Sequence, residues 1–122
     1  MGRVAKDEVR EERIMMEVVV DAYDEEERAM GWFYYLQDTM HFPFEAECVA
    51  ERRVSPLKSG ERVQVKGMTA EDDCMKEMFA EIEWSGRTFS VPLIQLRPID
   101  VDAATQEAVD DWKYWTDRGY CF

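Results

Sequence analysis

The sequence is poor in the residues that most enzyme and metal chemistry relies on. It has a single histidine, His41, and three cysteines, Cys48, Cys74 and Cys121, with no C-x-x-C spacing among them. An odd, scattered set of thiols argues against a disulfide framework and against a zinc site, and it suits a reducing compartment. A serine or cysteine nucleophile needs a base within reach, and the one histidine on offer, His41, sits beside aromatics at a helix end, where capping or packing is the commoner role, so a catalytic residue is not expected. The six glycines form neither a phosphate-cradling loop nor a dinucleotide fingerprint. No apolar run approaches ~18 residues, and the opening MGRVAKDEVREER lacks the apolar core of a signal peptide. The expectation is a soluble, cytoplasmic, non-enzymatic protein. Positive charge is also scarce: 15 Lys and Arg stand against 27 Asp and Glu, a formal net charge of -12. Such a field repels nucleic acid and anionic lipid, so neither is an expected partner, and it concentrates cations or basic proteins.

What the chain does have is apolar and aromatic mass. With 122 residues, 46% of them hydrophobic and 12% aromatic, it can close one core without staples, and residues 1–122 are read as a single domain. Residues 5–20 carry Ile14 with Val18, and Met15 with Val19, at i, i+4, which predicts a helix, although three consecutive valines also suit the start of a strand. Asp24 with Glu27 resembles a capping box, and the acids at 25–27 suit a helix N-terminus. The helix predicted over 25–40 puts Ala29, Phe33, Leu36 and Met40 on one stripe with Trp32 beside them, and Asp24, Glu27, Tyr34 and Asp38 on its back. Pro43 requires it to stop near His41.

From Phe44 the period changes to two, and a strand is expected across residues 44–51. SPLKSGE at 55–61 reads as a loop, 62–66 as a strand and GMTAEDDC at 67–74 as an acidic loop. Two further strands, 78–84 and 88–91, are joined by Ser85-Gly86 in a tight hairpin. PLIQLRPI at 92–99 suits a helical turn followed by a short strand. Asp102 or Thr105 can cap a last helix to Asp117, with Ala108, Val109, Trp112 and Trp115 inward and Glu107, Asp110, Tyr114 and Asp117 outward. The fold class is α+β: a small SH3-like antiparallel β-barrel over 44–99, with helices over 5–40 and 102–117.

Carboxylates without histidine or thiol partners are what a hard cation such as Ca2+ requires. Asp100, Asp102 and Asp111 fall at positions 1, 3 and 12 of an EF-hand loop, but position 6 is Thr105 instead of glycine and no helix precedes it, so the motif fails. Asp38 is different. A carboxylate in a helix's last turn faces the negative end of the dipole, at a cost of about 0.3–1 kcal/mol. A bound cation would reverse that sign; solvation or a nearby Arg or Lys would also relieve it. Glu71, Asp72 and Asp73 form the second candidate, three acids presented together by a short loop.

The segments ERAMGWFYYLQDTMHFPFEAECVAERRVSPL, KEMFAEIEW, VPLIQLRPI and DWKYWTDRGYCF, in this order, resemble the cyanobacterial calcium-binding protein family called CcbP. The resemblance covers nearly the whole chain from about Glu12. It implies a prokaryotic cytoplasmic protein that binds Ca2+ through acidic surface patches without an EF-hand, as a buffer or regulator of free calcium. It further implies that Asp38 is a calcium ligand and that Glu71, Asp72 and Asp73 occupy a second acidic loop. Asp111 matches the acid before the C-terminal aromatics, as a ligand or as a packing or capping residue. The competing reading is an acidic interaction module, whose outer edges at 45–51 and 81–83 dock a basic protein or mimic nucleic acid.

Overall fold

The computed structural model describes residues 6–119. Helix α1, Glu8–Glu17, is capped by Asp7, whose carboxylate accepts the Arg10 N–H. It is shorter than the expected 5–20: it ends before Val18 and Val19, which are buried in the following turn instead of extending a helix or opening a strand. Helix α2, Glu25–Thr39, starts as expected, with the Asp24 carboxylate accepting the Glu27 N–H at 2.8 Å. The return bond of the box goes one residue further out, from the Tyr23 N–H to Glu27. Ala29, Trp32, Phe33 and Leu36, with Met40 just beyond, are buried, and Tyr34 and Asp38 are exposed on the back. Gly31 lets α2 lie against the turn after α1: a Cβ there would stand 2.3 Å from the Val18 carbonyl oxygen.

Five strands follow: β1 Phe44–Cys48, β2 Arg62–Met68, β3 Phe79–Trp84, β4 Arg87–Pro92 and β5 Leu96–Ile99. All pairs are antiparallel and the order is β4-β3-β2-β1-β5. β1 stops three residues short of the expected 51, and β2 runs on through Gly67 and Met68, assigned above to the acidic loop, with an irregularity between Val65 and Gly67. Along β1, Phe44, Ala46 and Cys48 point inward and Glu45 and Glu47 outward, so the period-two pattern sets the register. Ser85 and Gly86 both take positive φ, as a two-residue hairpin of the mirror-image turn type requires.

β4 and β5 lie at opposite edges of the sheet, yet only a 3-10 turn, Leu93–Gln95, separates them. Flat, those edges would stand about 19 Å apart at the usual strand spacing, whereas three residues of 3-10 helix advance about 6 Å. The sheet is therefore rolled, though among the described residues β4 and β5 do not pair and it stays open. The α+β class holds, and the rolled open sheet is compatible with the SH3-like expectation. Helix α3, Ala103–Asp117, is capped by Asp102. Trp112 and Trp115 meet Trp32 of α2 edge-on or tilted at 5.1 and 5.6 Å, which joins α3 to the aromatic seam of α2. Ala108, Val109, Trp112 and Trp115 are inward as expected, but Tyr114 is buried too, its hydroxyl bonded to the Asp7 N–H and to Glu11.

Candidate metal-binding site

Asp38 and Tyr34 are four residues apart on α2 and so share one face of the helix. After β2 the chain turns back towards that face as a short 3-10 turn, Glu71–Cys74, which packs against α2. The Tyr34 hydroxyl donates to Glu71 Oε2 across 37 residues of sequence. That hydrogen bond, then the charge of Glu71, partial desolvation and the charge of Asp38 hold the Tyr34 phenol above its ordinary ionisation range. Glu71 thus bonds the phenol directly, and Asp38, one turn further along α2, acts on it through its charge.

No basic residue lies in the last turn of α2, and among the described residues no salt bridge reaches Asp38, Asp72 or Asp73. Among the described residues no Arg or Lys forms with Asp38 the ion pair that the sequence left open. The donors on offer are all oxygen: two carboxylates, a phenol and the unpaired carbonyls at the end of α2. That set suits a hard cation. Among the described residues no three His, Cys, Asp or Glu side chains converge into a cage, so an ion here would keep several waters.

Asp72 is exposed on the same turn. Asp73, also exposed, lines a shallow cavity of about 260 Å³ with Thr69, Phe79 and Ser90, where the Thr69 and Ser90 hydroxyls bond at 2.9 Å. Tyr34 was not singled out as a site residue by the sequence. Its i, i+4 placement with Asp38 was the available signal; its pairing with Glu71 is a tertiary contact.

Asp111 stands apart from these residues. It is fully buried, and its Oδ1 accepts from Arg10 Nη1 at 2.6 Å and Arg13 Nη2 at 2.7 Å. Its Oδ2 accepts from the Tyr35 hydroxyl at 2.7 Å and Arg13 Nε at 3.3 Å. Two guanidiniums fill the place a metal would take, so we assign Asp111 a structural role, tying α1 and α2 to α3, in place of the ligand role. The same contacts push the ionisation of Arg13 and Tyr35 upward, for Arg13 chiefly through the Asp111 hydrogen bond and for Tyr35 chiefly through burial. Asp100 takes a positive φ in the turn before α3 and Asp102 caps the helix, so the stretch from 103 onward is helical and cannot wrap an ion as an EF-hand loop does.

The outer sheet face is less acidic than its strand sequences suggest. Glu45 lies 3.8 Å from Arg62, Glu83 3.5 Å from Lys66, and Glu47 pairs with Arg97. An open depression of about 400 Å³ there is lined by Glu45, Arg62, Gln64, Glu83 and Trp84, its carboxylates already compensated by neighbouring cations. Among the described residues, no helix is long and apolar enough to cross a membrane.

Comparison with known proteins follows the same direction. A sequence model of the Calci_bind_CcbP family, described as calcium binding, matches residues 12–116. The structure is similar to the crystal structure of Anabaena CcbP, with a TM-score of 0.89 and 46% identity over 100% of both chains. It is likewise similar to a calcium binding protein in the calcium-binding form, with a TM-score of 0.87 and 44% identity over 100% of both chains. No curated protein matches.

Proposed function

The chain belongs to the Calci_bind_CcbP family of calcium-binding proteins, and from that premise we propose that it buffers or senses cytoplasmic Ca2+ as a non-enzymatic protein. The observation that carries the reading is the Tyr34 to Glu71 hydrogen bond, which holds the acidic 3-10 turn against the α2 face that carries Asp38, at a helix end with no basic residue. Asp38 supplies the principal ligand, Glu71 the second, and Asp72 and Asp73 extend the acidic surface from the same 3-10 turn. Ca2+ is the cargo of this site. It neutralises the carboxylates, opposes the negative end of the α2 dipole and takes Glu71 from its phenol.

An open site completed by water binds on the order of micromolar to submillimolar. Calcium at about 100 times its dissociation constant would then stabilise the fold by about 2.7 kcal/mol. Titration calorimetry at physiological salt tests the proposal: Ca2+ gives a saturable heat that equal Mg2+ does not, and Asp38→Asn weakens it at least tenfold with the fold intact. Equal heats from both ions would remove the specific site, and full affinity in Asp38→Asn would move it away from α2.

A further inference from the structure

The exposed side of α1 interleaves large apolar side chains with carboxylates. Val9 is 75% exposed, Met15 54% and Met16 66%, and just beyond the helix Val20 is 50% and Tyr23 82% exposed. Val9 and Met16, seven residues apart, lie on one line of the helix, while Ile14 is buried and Arg10 and Arg13 turn to Asp111. A single exposed valine or methionine is ordinary. Here five of the eight exposed large apolar side chains among the described residues fall within 15 consecutive positions, 9–23, a strip along the sequence of α1 and the turn after it.

The strip has a rim of one sign. Asp7, Glu8, Glu12 and Glu17 are exposed on α1 and its cap, Asp21, Asp24, Glu25, Glu26 and Glu27 on the turn and helix start that follow, and the only exposed cation between residues 6 and 27 is Lys6. A second copy would bring the same rim against itself, with a net charge of -12 on each chain, and an anionic lipid surface would be repelled likewise. A partner of opposite charge is favoured on every side of the strip.

We propose that the outer face of α1, continued by Val20 and Tyr23, docks a basic amphipathic segment: a helix whose apolar stripe is bordered by Lys and Arg. Its apolar stripe lies on Val9, Met16 and Val20, where unbranched methionine adapts to side chains of varied shape. Its cations meet Glu8, Glu12 and Glu17, which steer the encounter and set the orientation. The surface shares no residue with the Asp38 and Glu71 site, so it stands whether or not that site holds Ca2+.

The test uses the full chain in chelator and a short fluorescein-labelled peptide of leucine and lysine alone, with all leucines on one helical face, followed by anisotropy. The expected result is saturable, equimolar binding that weakens with salt. The double variant Val9→Ser/Met16→Ser should lose affinity about tenfold or more, and Glu12→Gln/Glu17→Gln should weaken binding and flatten its salt dependence. All four positions are exposed, so circular dichroism and melting temperature should stay at wild-type values. The proposal is overturned if a peptide of the same composition with leucines spread around the helix binds equally well, or if Val9→Ser/Met16→Ser changes nothing. It is also overturned if light scattering shows a dimer that the same double variant dissolves, or if the protein binds phosphatidylserine vesicles in preference to the peptide.

Discussion

Substituting Asp111→Asn should be among the most destabilising single-atom changes available in this chain. The carboxylate is fully buried and accepts four hydrogen bonds, from Arg10 Nη1, Arg13 Nη2 and Nε, and the Tyr35 hydroxyl. Asparagine keeps one acceptor and turns two donor hydrogens towards groups that are themselves donors. It also removes the nearest counter-charge of both guanidiniums, leaving Arg10 only Asp7 at 3.7 Å and Arg13 only Glu107 at 3.6 Å. Breaking a buried pair in this way costs about 3–5 kcal/mol. The Arg10 and Arg13 side chains retain 26% and 21% of their exposure, and water can solvate them in part, so the lower end, about 3 kcal/mol, is expected. Against a total stability of about 5–15 kcal/mol, this should lower the melting temperature by about 9–15 °C for a chain of this length. Urea unfolding measures it directly, with the midpoint falling and the slope unchanged. The combined variant Arg10→Met/Arg13→Met/Asp111→Leu should recover most of the loss, because it removes the uncompensated charges along with the partner. A loss under about 1 kcal/mol for Asp111→Asn would refute the buried-cluster argument. Lost calcium affinity at unchanged stability would reinstate Asp111 as a ligand.

Three further outcomes follow from single contacts. Gly31→Ala gains helix propensity of about 1 kcal/mol but drives a Cβ to 2.3 Å from the Val18 carbonyl oxygen; overpacking of about 1–3 kcal/mol should win, and a raised urea midpoint would show that the turn yields freely. The Tyr34 phenol, held up mainly by Glu71 and further by Asp38, should ionise at lower pH in saturating calcium. Phenolate absorbance of wild type minus Tyr34→Phe reads this, and an unmoved midpoint would place the ion elsewhere. Asp102 is held at about 2, first by its side-chain bond to Thr105 and less by His41. A depressed carboxyl contributes stability that is fully present above its unfolded value of 3.8 and lost as pH falls through about 2. Asp102→Ala should therefore melt below wild type at neutral pH, with the gap closing over that window, and a gap of constant size would exclude the carboxylate's charge as its cause.

Helix α2 was legible because every signal needed to place it is local. Asp24 caps it three residues from its partner, the stripe of Ala29, Phe33, Leu36 and Met40 repeats at helical period, and Pro43 closes it. The β1 alternation and the Ser85-Gly86 hairpin were legible for the same reason. What escaped depends on partners far away in sequence. Tyr114 falls in sequence on the polar face with Glu107, Asp110 and Asp117, yet it is buried because Asp7 and Glu11, more than 100 residues upstream, satisfy its hydroxyl. Asp111 sits where an acid before aromatics reads equally as ligand or anchor, and only Arg10 and Arg13 decide between them. Val18 and Val19 have the stiff side chains of a strand, but the close approach of Gly31 holds them in a turn. At the candidate site, sequence supplied Asp38 and the acidic turn separately; the Tyr34 to Glu71 bond is what joins them.

Where the net charge resides follows from how the cations are used. Arg10 and Arg13 are taken up by Asp111, Arg52 by Glu77, and Arg62, Lys66 and Arg97 by acids of the neighbouring strands. Each pairing within the core or on the sheet face removes a positive charge from the rest of the surface. Two groups of acids lie largely outside these pairings: Asp38 with the facing 3-10 turn, and the exposed acids of α1 and the turn after it. The first is polar, with Asp38, Glu71 and a phenol, and suits an ion that carbonyls and water can also coordinate. The second is interleaved with methionine and valine, and a bare ion would gain nothing from those side chains, whereas an apolar stripe flanked by cations would use both. Consecutive residues of α2, Tyr34 outward to Glu71 and Tyr35 inward to Asp111, place this helix between the ion's patch and the cluster that fastens α1, so the two patches are carried by one rigid frame while sharing no ligand.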